Sequence, residues 1–378
     1  MQLFSREVIE NRECETLAAF AVKSGQSQGR MYATSVDSYR TCFQRDRDRI
    51  IHSKAFRRLQ AKTQVFVSSE GDHYRNRMIH SVECAQISRG LCRTFGLNED
   101  LGEAIALAHD LGHTPFGHAG EAAMNEILQG FDLHFEHNEQ SLRVVEKLEK
   151  ISPDFEGLNL TKEVLDGMLK HHTPFDRPKM KFVYSAHLEG QVVDLGDEIA
   201  YMSADIDDGL RSEVFSFEDL RGVPLMREIL ERVSHGYDLG IFDETLRARV
   251  SNALMRAMVE DVSTESQKRL LENKILTLED VQKYPAVLIS FSPDFRIALD
   301  LVRKFLLENF YHSPRVKAQT DHGQSIIRDL FSAFLKDPSK LPERARVMMA
   351  DGERIEVVVK DYVAGMTDTF AERMWSEM

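Results

Sequence analysis

Apolar residues recur at intervals of three and four along almost the whole of this chain, and that period is helical. Leu101, Ala104, Ile105, Ala108 and Leu111 form one such series; Val192, Leu195, Ile199, Met202 and Ile206 form another. Residues 6–22, 76–95, 136–150 and 161–172 and most of 225–336 follow the same pattern. Alternation of period two is nearly absent until Arg354-Ile355-Glu356-Val357-Val358-Val359, which reads as one short strand or as the start of the last helix. A mainly α fold follows, and 378 residues with 42% hydrophobic content suffice for a large core. Residues 23–38, polar and bearing Gly and Ser, read as a mobile loop.

Several function classes are excluded early. No run of about 18 apolar residues exists, so no membrane span is expected. The first residues meet charge at once and lack the apolar stretch of a signal peptide. Cys14, Cys42, Cys84 and Cys92 form no Cys-x-x-Cys pair and read as reduced thiols of a cytoplasmic protein. A net charge of −13 argues against non-specific binding to nucleic acid over the whole surface, since phosphate backbones need a basic face.

The densest chemistry runs from His109 to Glu121, His109-Asp110-Leu111-Gly112-His113-Thr114-Pro115-Phe116-Gly117-His118-Ala119-Gly120-Glu121. Asn98 is a good N-cap for the helix before it, and Gly112 and Pro115 stop that helix. A second helix is expected to start near His118. His109 and Asp110 then lie in the last turn of one helix, His113 in the turn, and His118 and Glu121 in the first turn of the next. Five such groups converging on one turn point to a site.

Two charged patterns accompany it. A cationic run from Tyr39 to Phe66 carries Arg40, Arg45, Arg47, Arg49, Lys54, Arg57, Arg58 and Lys62. It reads either as a solvated face paired internally through Asp46 and Asp48, or as an anion site. On residues 187–208, Asp194, Asp197, Tyr201, Asp205 and Asp208 form an acidic stripe roughly opposite the apolar one. The ordinary reading of that stripe is a solvated face; the other is a polar cavity that offers a carboxylate to a metal.

Imidazole plus carboxylate suits a hard or borderline divalent ion. His109 and Asp110 provide one of each, and His80 and Asp197 complete the set from their own helices, leaving positions for water and substrate. Gly-rich phosphate loops, the His-Glu-x-x-His of zinc proteases and the Pro-Cys-x-x-Cys of zinc deaminases are absent.

A His, then an adjacent His-Asp, then a distant Asp, all on helices, resembles the HD superfamily of metal-dependent phosphohydrolases. Longer segments narrow the resemblance to the deoxyguanosine triphosphate triphosphohydrolase-like family: Tyr39 to Ser53, Phe56-Arg57-Arg58-Leu59, Lys62 to Phe66, His109 to Glu121, Phe135 to Ser141, Asp197 to Tyr201 and Asp361 to Asp368. The resemblance implies an HD-domain helical bundle over 61–210, preceded by a helical and basic segment over 1–60. A C-terminal helical extension over 211–378 would pack on that core.

It further implies metal-dependent hydrolysis of dGTP or several deoxynucleoside triphosphates to the deoxynucleoside and tripolyphosphate. The metal would be Mg²⁺ or Mn²⁺, with Fe, Ni or Zn also acceptable. By position, His80, His109, Asp110 and Asp197 match the family's metal ligands, and His118, paired with Glu121, the residue in line with the attacking water. His113 and His137 match histidines near the phosphates, Arg77 a phosphate-facing arginine, and Gln64, Tyr201 and Asp205 groups on the deoxyribose. Lys179 and Lys181 are recommended as triphosphate contacts only by charge and placement. Family members form homo-oligomers and some take a nucleotide activator, so both are expectations; single-stranded DNA has no support as a partner. Two competing readings are an HD nucleotidase or phosphodiesterase on another nucleotide, and a nucleotide or single-strand sensor on an inactive scaffold. The sensor predicts a missing ligand, and none is missing.

Overall fold

A computed structural model describes residues 3–65, 74–169 and 187–378; Phe66, Lys179 and Lys181 lie outside the described residues. Helices α1 (Arg6–Thr16), α2 (Cys42–Ile51) and α3 (Lys54–Arg58) come first. The longer α4 (Arg77–Phe95), α5 (Glu99–Ala108) and α6 (Gly117–Gln129) follow. Next are α7 (His137–Arg143), α8 (Lys162–Leu169), α9 (Leu188–Arg211), α10 (Phe217–Leu220) and α11 (Pro224–Val233). The chain goes on through α12 (Glu244–Glu272), α13 (Leu278–Lys283), α14 (Pro293–Leu306) and α15 (Pro314–Lys336). It ends in α16 (Glu343–Ala350), α17 (Ile355–Ala364) and α18 (Asp368–Ser376). Among the described residues there is no strand, only isolated bridges, and the fold is mainly α. No described helix is long and apolar enough to cross a membrane.

The chain forms two compact units that interleave in sequence. One comprises residues 1–48, 81–107 and 161–313; the other comprises 49–80, 108–160 and 314–378.

In the first unit, α9 is buried nearly throughout, acidic face included. This overturns the solvated reading of that stripe. Asp207 pairs with Arg247 and lies 3.3 Å from Ser251 Oγ. Glu198 takes Arg296 and Arg303, and Asp205 accepts from Tyr311. A buried charge survives only with such partners. Several arginines in and around α2 are paired within this unit. Arg40 binds Asp37 and Asp48, Arg47 reaches Asp100 and Glu103, and Arg30 pairs with Asp46. Within residues 23–38, expected to be a mobile loop, Ser24 N donates to Glu13 and Gln28 N to Glu163.

In the second unit, α6 packs against α15, and α17 and α18 complete the core. Met124 and Leu128 of α6 meet Ile327, Leu330, Phe331 and Phe334 of α15, each burial contributing roughly 1.5–3 kcal/mol. Residues 355–359 belong to α17, with Arg354 as its N-cap. The β-branched run favours a strand locally, but Val358, Val359 and Val363 find their apolar partners in this core, and burial outweighs propensity.

Candidate functional site

The second unit carries the His109–Glu121 turn. Asn98 Oδ1 caps α5 through Leu101 N, 3.2 Å, but α5 ends at Ala108. His109 and Asp110 therefore lie in the turn, not in the last helical turn as expected. The reason is Ser141 on α7, whose Oγ donates to His109 O (2.6 Å) and accepts from Gly112 N (2.8 Å). Those backbone groups would otherwise have continued the helix. Gly112 allows this approach, since a Cβ there would strike the backbone of His137, Gln140 and Ser141. Helix α6 begins one residue before His118, capped by Phe116 at φ 61°, a left-handed conformation that costs a non-glycine residue on the order of 1–3 kcal/mol. The Phe116 N–H is fixed by Asp368 Oδ1 at 3.0 Å.

Three of the expected metal ligands meet here. His80 on α4 and His109 and Asp110 in the turn are all buried and offer ligand atoms within 4.8 Å of one another. Two imidazole nitrogens and a carboxylate oxygen are a sound donor set for a divalent ion. Asp197, the fourth expected ligand, is buried on α9 of the first unit, as are Tyr201 and Asp205.

Asp110 is also the hub of a charged network. Its Oδ2 accepts from the Arg77 guanidinium at 2.9 Å, and its Oδ1 lies 3.1 Å from His113 Nε2 and 3.3 Å from His109 Nε2. Burial raises the Asp110 pKa, but His109, Arg77 and His113 outweigh it and hold the carboxyl well below its usual range. His113 is driven the other way by burial, Arg77 and His137, and stays neutral. Its Nδ1 is buried without a hydrogen-bond partner among the described residues. The His113 and His137 rings stack at 4.0 Å between centroids, and the His118 ring stands edge-on 5.2 Å from that of His113.

Glu121 links the other two histidines. One carboxylate oxygen lies 3.0 Å from His137 Nδ1 and accepts from its backbone N–H, and the other lies 3.2 Å from His118 Nδ1. His118 itself is 60% exposed, whereas His113 and His137 are buried. Gln64 adjoins this turn: a Cβ on Gly117 would come within 3.2 Å of Arg77 and 3.5 Å of Gln64 O. Gln64 Oε1 is buried and has no hydrogen-bond partner among the described residues.

From sequence, Ser141 and Asp368 carried no assigned role and Lys62 figured only as a member of the cationic run, although all three stand in the quoted segments. Lys62 is fully buried and donates to His113 O and, at 2.9 Å, to Ala364 O. Burial, together with Arg58 and Arg77, pulls its pKa down to about 7 against the attraction of Asp368. The available signal was a lysine between apolar Leu59 and Val65, but its acceptors lie 51 and 302 residues away.

Residues 77–202 match the HD domain, and residues 289–377 the phosphohydrolase-associated domain. HD domains are metal-dependent hydrolases, in keeping with the His/Asp cluster. Over nearly its full length the chain is similar to proteins named deoxyguanosinetriphosphate triphosphohydrolase-like protein. It is 44% identical to that of Geobacter metallireducens over 97% of this chain and 96% of the relative. The figures are 42%, 98% and 96% for Geobacter sulfurreducens, and 40%, 99% and 99% for a Leptospira interrogans relative.

Proposed function

From the premise that this chain belongs to the deoxyguanosinetriphosphate triphosphohydrolase-like family of HD-domain phosphohydrolases, we propose that it cleaves deoxynucleoside triphosphates to the deoxynucleoside and tripolyphosphate in the cytoplasm. The observation that carries this reading is one buried donor set, His80, His109 and Asp110, contiguous with a charged network of Arg77, His113, His137, Glu121 and His118.

Water attacks the α-phosphorus, and negative charge grows on the transferring group. A divalent ion, Mg²⁺ or Mn²⁺, held by His80, His109 and Asp110 would supply Lewis-acid polarisation and neutralise that charge. Arg77 adds a fixed positive charge from its place beside Asp110. His118 takes the proton from the attacking water. With Nδ1 donating to Glu121, its basic nitrogen is Nε2, and its exposure lets the proton pass on to solvent. Neutral His113 and its stacked partner His137 present imidazoles to the phosphates. The unpartnered Gln64 Oε1 accepts from a sugar hydroxyl. For α9 the proposal rests on the sequence pattern alone, with Asp197 as a further metal ligand and Tyr201 and Asp205 as sugar-binding groups.

The test is a screen of the four deoxynucleoside triphosphates, singly and in pairs, with Mg²⁺ or Mn²⁺, resolving products by ion exchange. Tripolyphosphate release is expected; release of orthophosphate or pyrophosphate overturns the reading. The paired arms also test for a nucleotide activator, and sedimentation of the same preparation tests for the homo-oligomer that the family resemblance implies.

A further inference from the structure

The turn that carries the histidines is held at its carboxyl end by a carboxylate from far along the chain. Asp368, the first residue of α18, is buried and uses both oxygens. Oδ1 accepts from Phe116 N at 3.0 Å, and Oδ2 accepts from Thr63 N at 2.8 Å and from the Thr63 hydroxyl. Phe116 lies between His113 and His118, and Thr63 immediately precedes Gln64. Thr63 also bridges Asn76, and Lys62 O accepts from Arg77 N at 3.2 Å. One carboxylate thus ties the histidine-bearing turn to the segment that carries Gln64 and leads into Arg77. Lys62, bound to His113 O and Ala364 O, adds a second tie from the end of α17.

We propose that Asp368 is a positioning residue for the hydrolytic site: it sets His113 and His118, on one side, in register with Gln64 and Arg77 on the other. The inference rests on the reading of this turn as the catalytic one. The core around α18 does not need the carboxylate for its burial, because Ala364, Met366 and Ala371 are buried there among apolar side chains of α15 and α17. The carboxylate instead satisfies two backbone N–H groups, one of them on the left-handed Phe116, whose conformation must be imposed from outside. An asparagine has the same shape but one acceptor oxygen, so it would turn an N–H₂ group toward a donor on Phe116 or on Thr63. The turn and the Gln64 segment would then separate without loss of the apolar core.

The experiment compares wild type, Asp368→Asn, Asp368→Glu and the milder Thr63→Val. It measures bound metal, unfolding midpoint, kcat and KM, and the NMR signals of the histidine rings. In Asp368→Asn we expect wild-type metal content, ring signals of His113, His118 and His137 displaced, and kcat lowered roughly 10- to 100-fold with KM much less affected, as a misplacement of about 1 Å can produce. Asp368→Glu should recover part of kcat, and Thr63→Val should shift the same signals by less. Unchanged kcat and unmoved ring signals, with only the unfolding midpoint lowered, would overturn the proposal and leave Asp368 a role in stability alone. If the wild type releases no tripolyphosphate, the proposed function fails by itself. The ring signals still decide the positioning claim: displaced supports it, unmoved overturns it.

Discussion

Glu121 holds His137 twice with a single oxygen, 2.9 Å from its backbone nitrogen and 3.0 Å from its Nδ1. The same carboxylate reaches His118 with its other oxygen. The first turns of α6 and α7 are thereby locked together, and two imidazoles are oriented by one acid. Second contacts of this kind fix tautomer as well as direction, because a nitrogen donating to a carboxylate leaves the other one basic.

His118 is the exposed member of this pair, which separates chemistry from stability. His118→Ala is expected to fold with wild-type stability, to keep its metal, and to lose roughly 10²- to 10⁴-fold in kcat, the usual worth of a positioned general base. Single-turnover rate, metal content and substrate Kd on one preparation check this. A near wild-type rate with metal in place would move the role to His113 or His137.

Glu121 makes a prediction about pH. Burial raises its pKa, but His137 and His118 overcome that and hold it below its ordinary value of 4.5. A carboxyl with a depressed folded pKa adds stability that is full above the unfolded value and is lost as pH falls below it. The stability difference between wild type and Glu121→Gln should therefore shrink as pH falls below about 4.5. Denaturant titrations at a series of pH values measure it; a difference that grows below about pH 4.5 contradicts the geometry.

Asp110 combines two duties. Asp110→Ala should lose bound metal and activity together, as elemental analysis and turnover would record. It should also lose about 3–5 kcal/mol of stability, since the buried Arg77–Asp110 ion pair would be broken. Full metal content in this variant would refute the ligand assignment.

The sugar site yields a prediction about analogues. A site that hydrogen-bonds a substrate hydroxyl rejects compounds lacking it, because a buried polar group such as Gln64 Oε1 is then unsatisfied. Dideoxynucleoside triphosphates should show kcat/KM lower by roughly 10- to 1000-fold. On the proposed function, ribonucleotides should also be poorer than deoxynucleotides. Equal kcat/KM for GTP and dGTP would contradict that proposal.

Local order determined what could be read without coordinates. Helical periodicity, the Asn98 cap and the His109–Glu121 cluster are set by neighbours three and four residues apart, so the helical class and the central turn were legible from the chain alone. Tertiary contacts decided the rest. Ser141 ends α5 before His109 by taking backbone groups the helix would have used. Charged groups of α9 stay buried because partners arrive from distant helices: Arg247 meets Asp207, Arg296 and Arg303 meet Glu198, and Tyr311 meets Asp205. Arg47 of α2 is met by Asp100 and Glu103 from α5. The N–H of the left-handed Phe116 is met by Asp368, 252 residues away. Backbone and charge satisfaction in a folded interior is a long-range condition, and no periodicity along the chain encodes which distant residue will meet it.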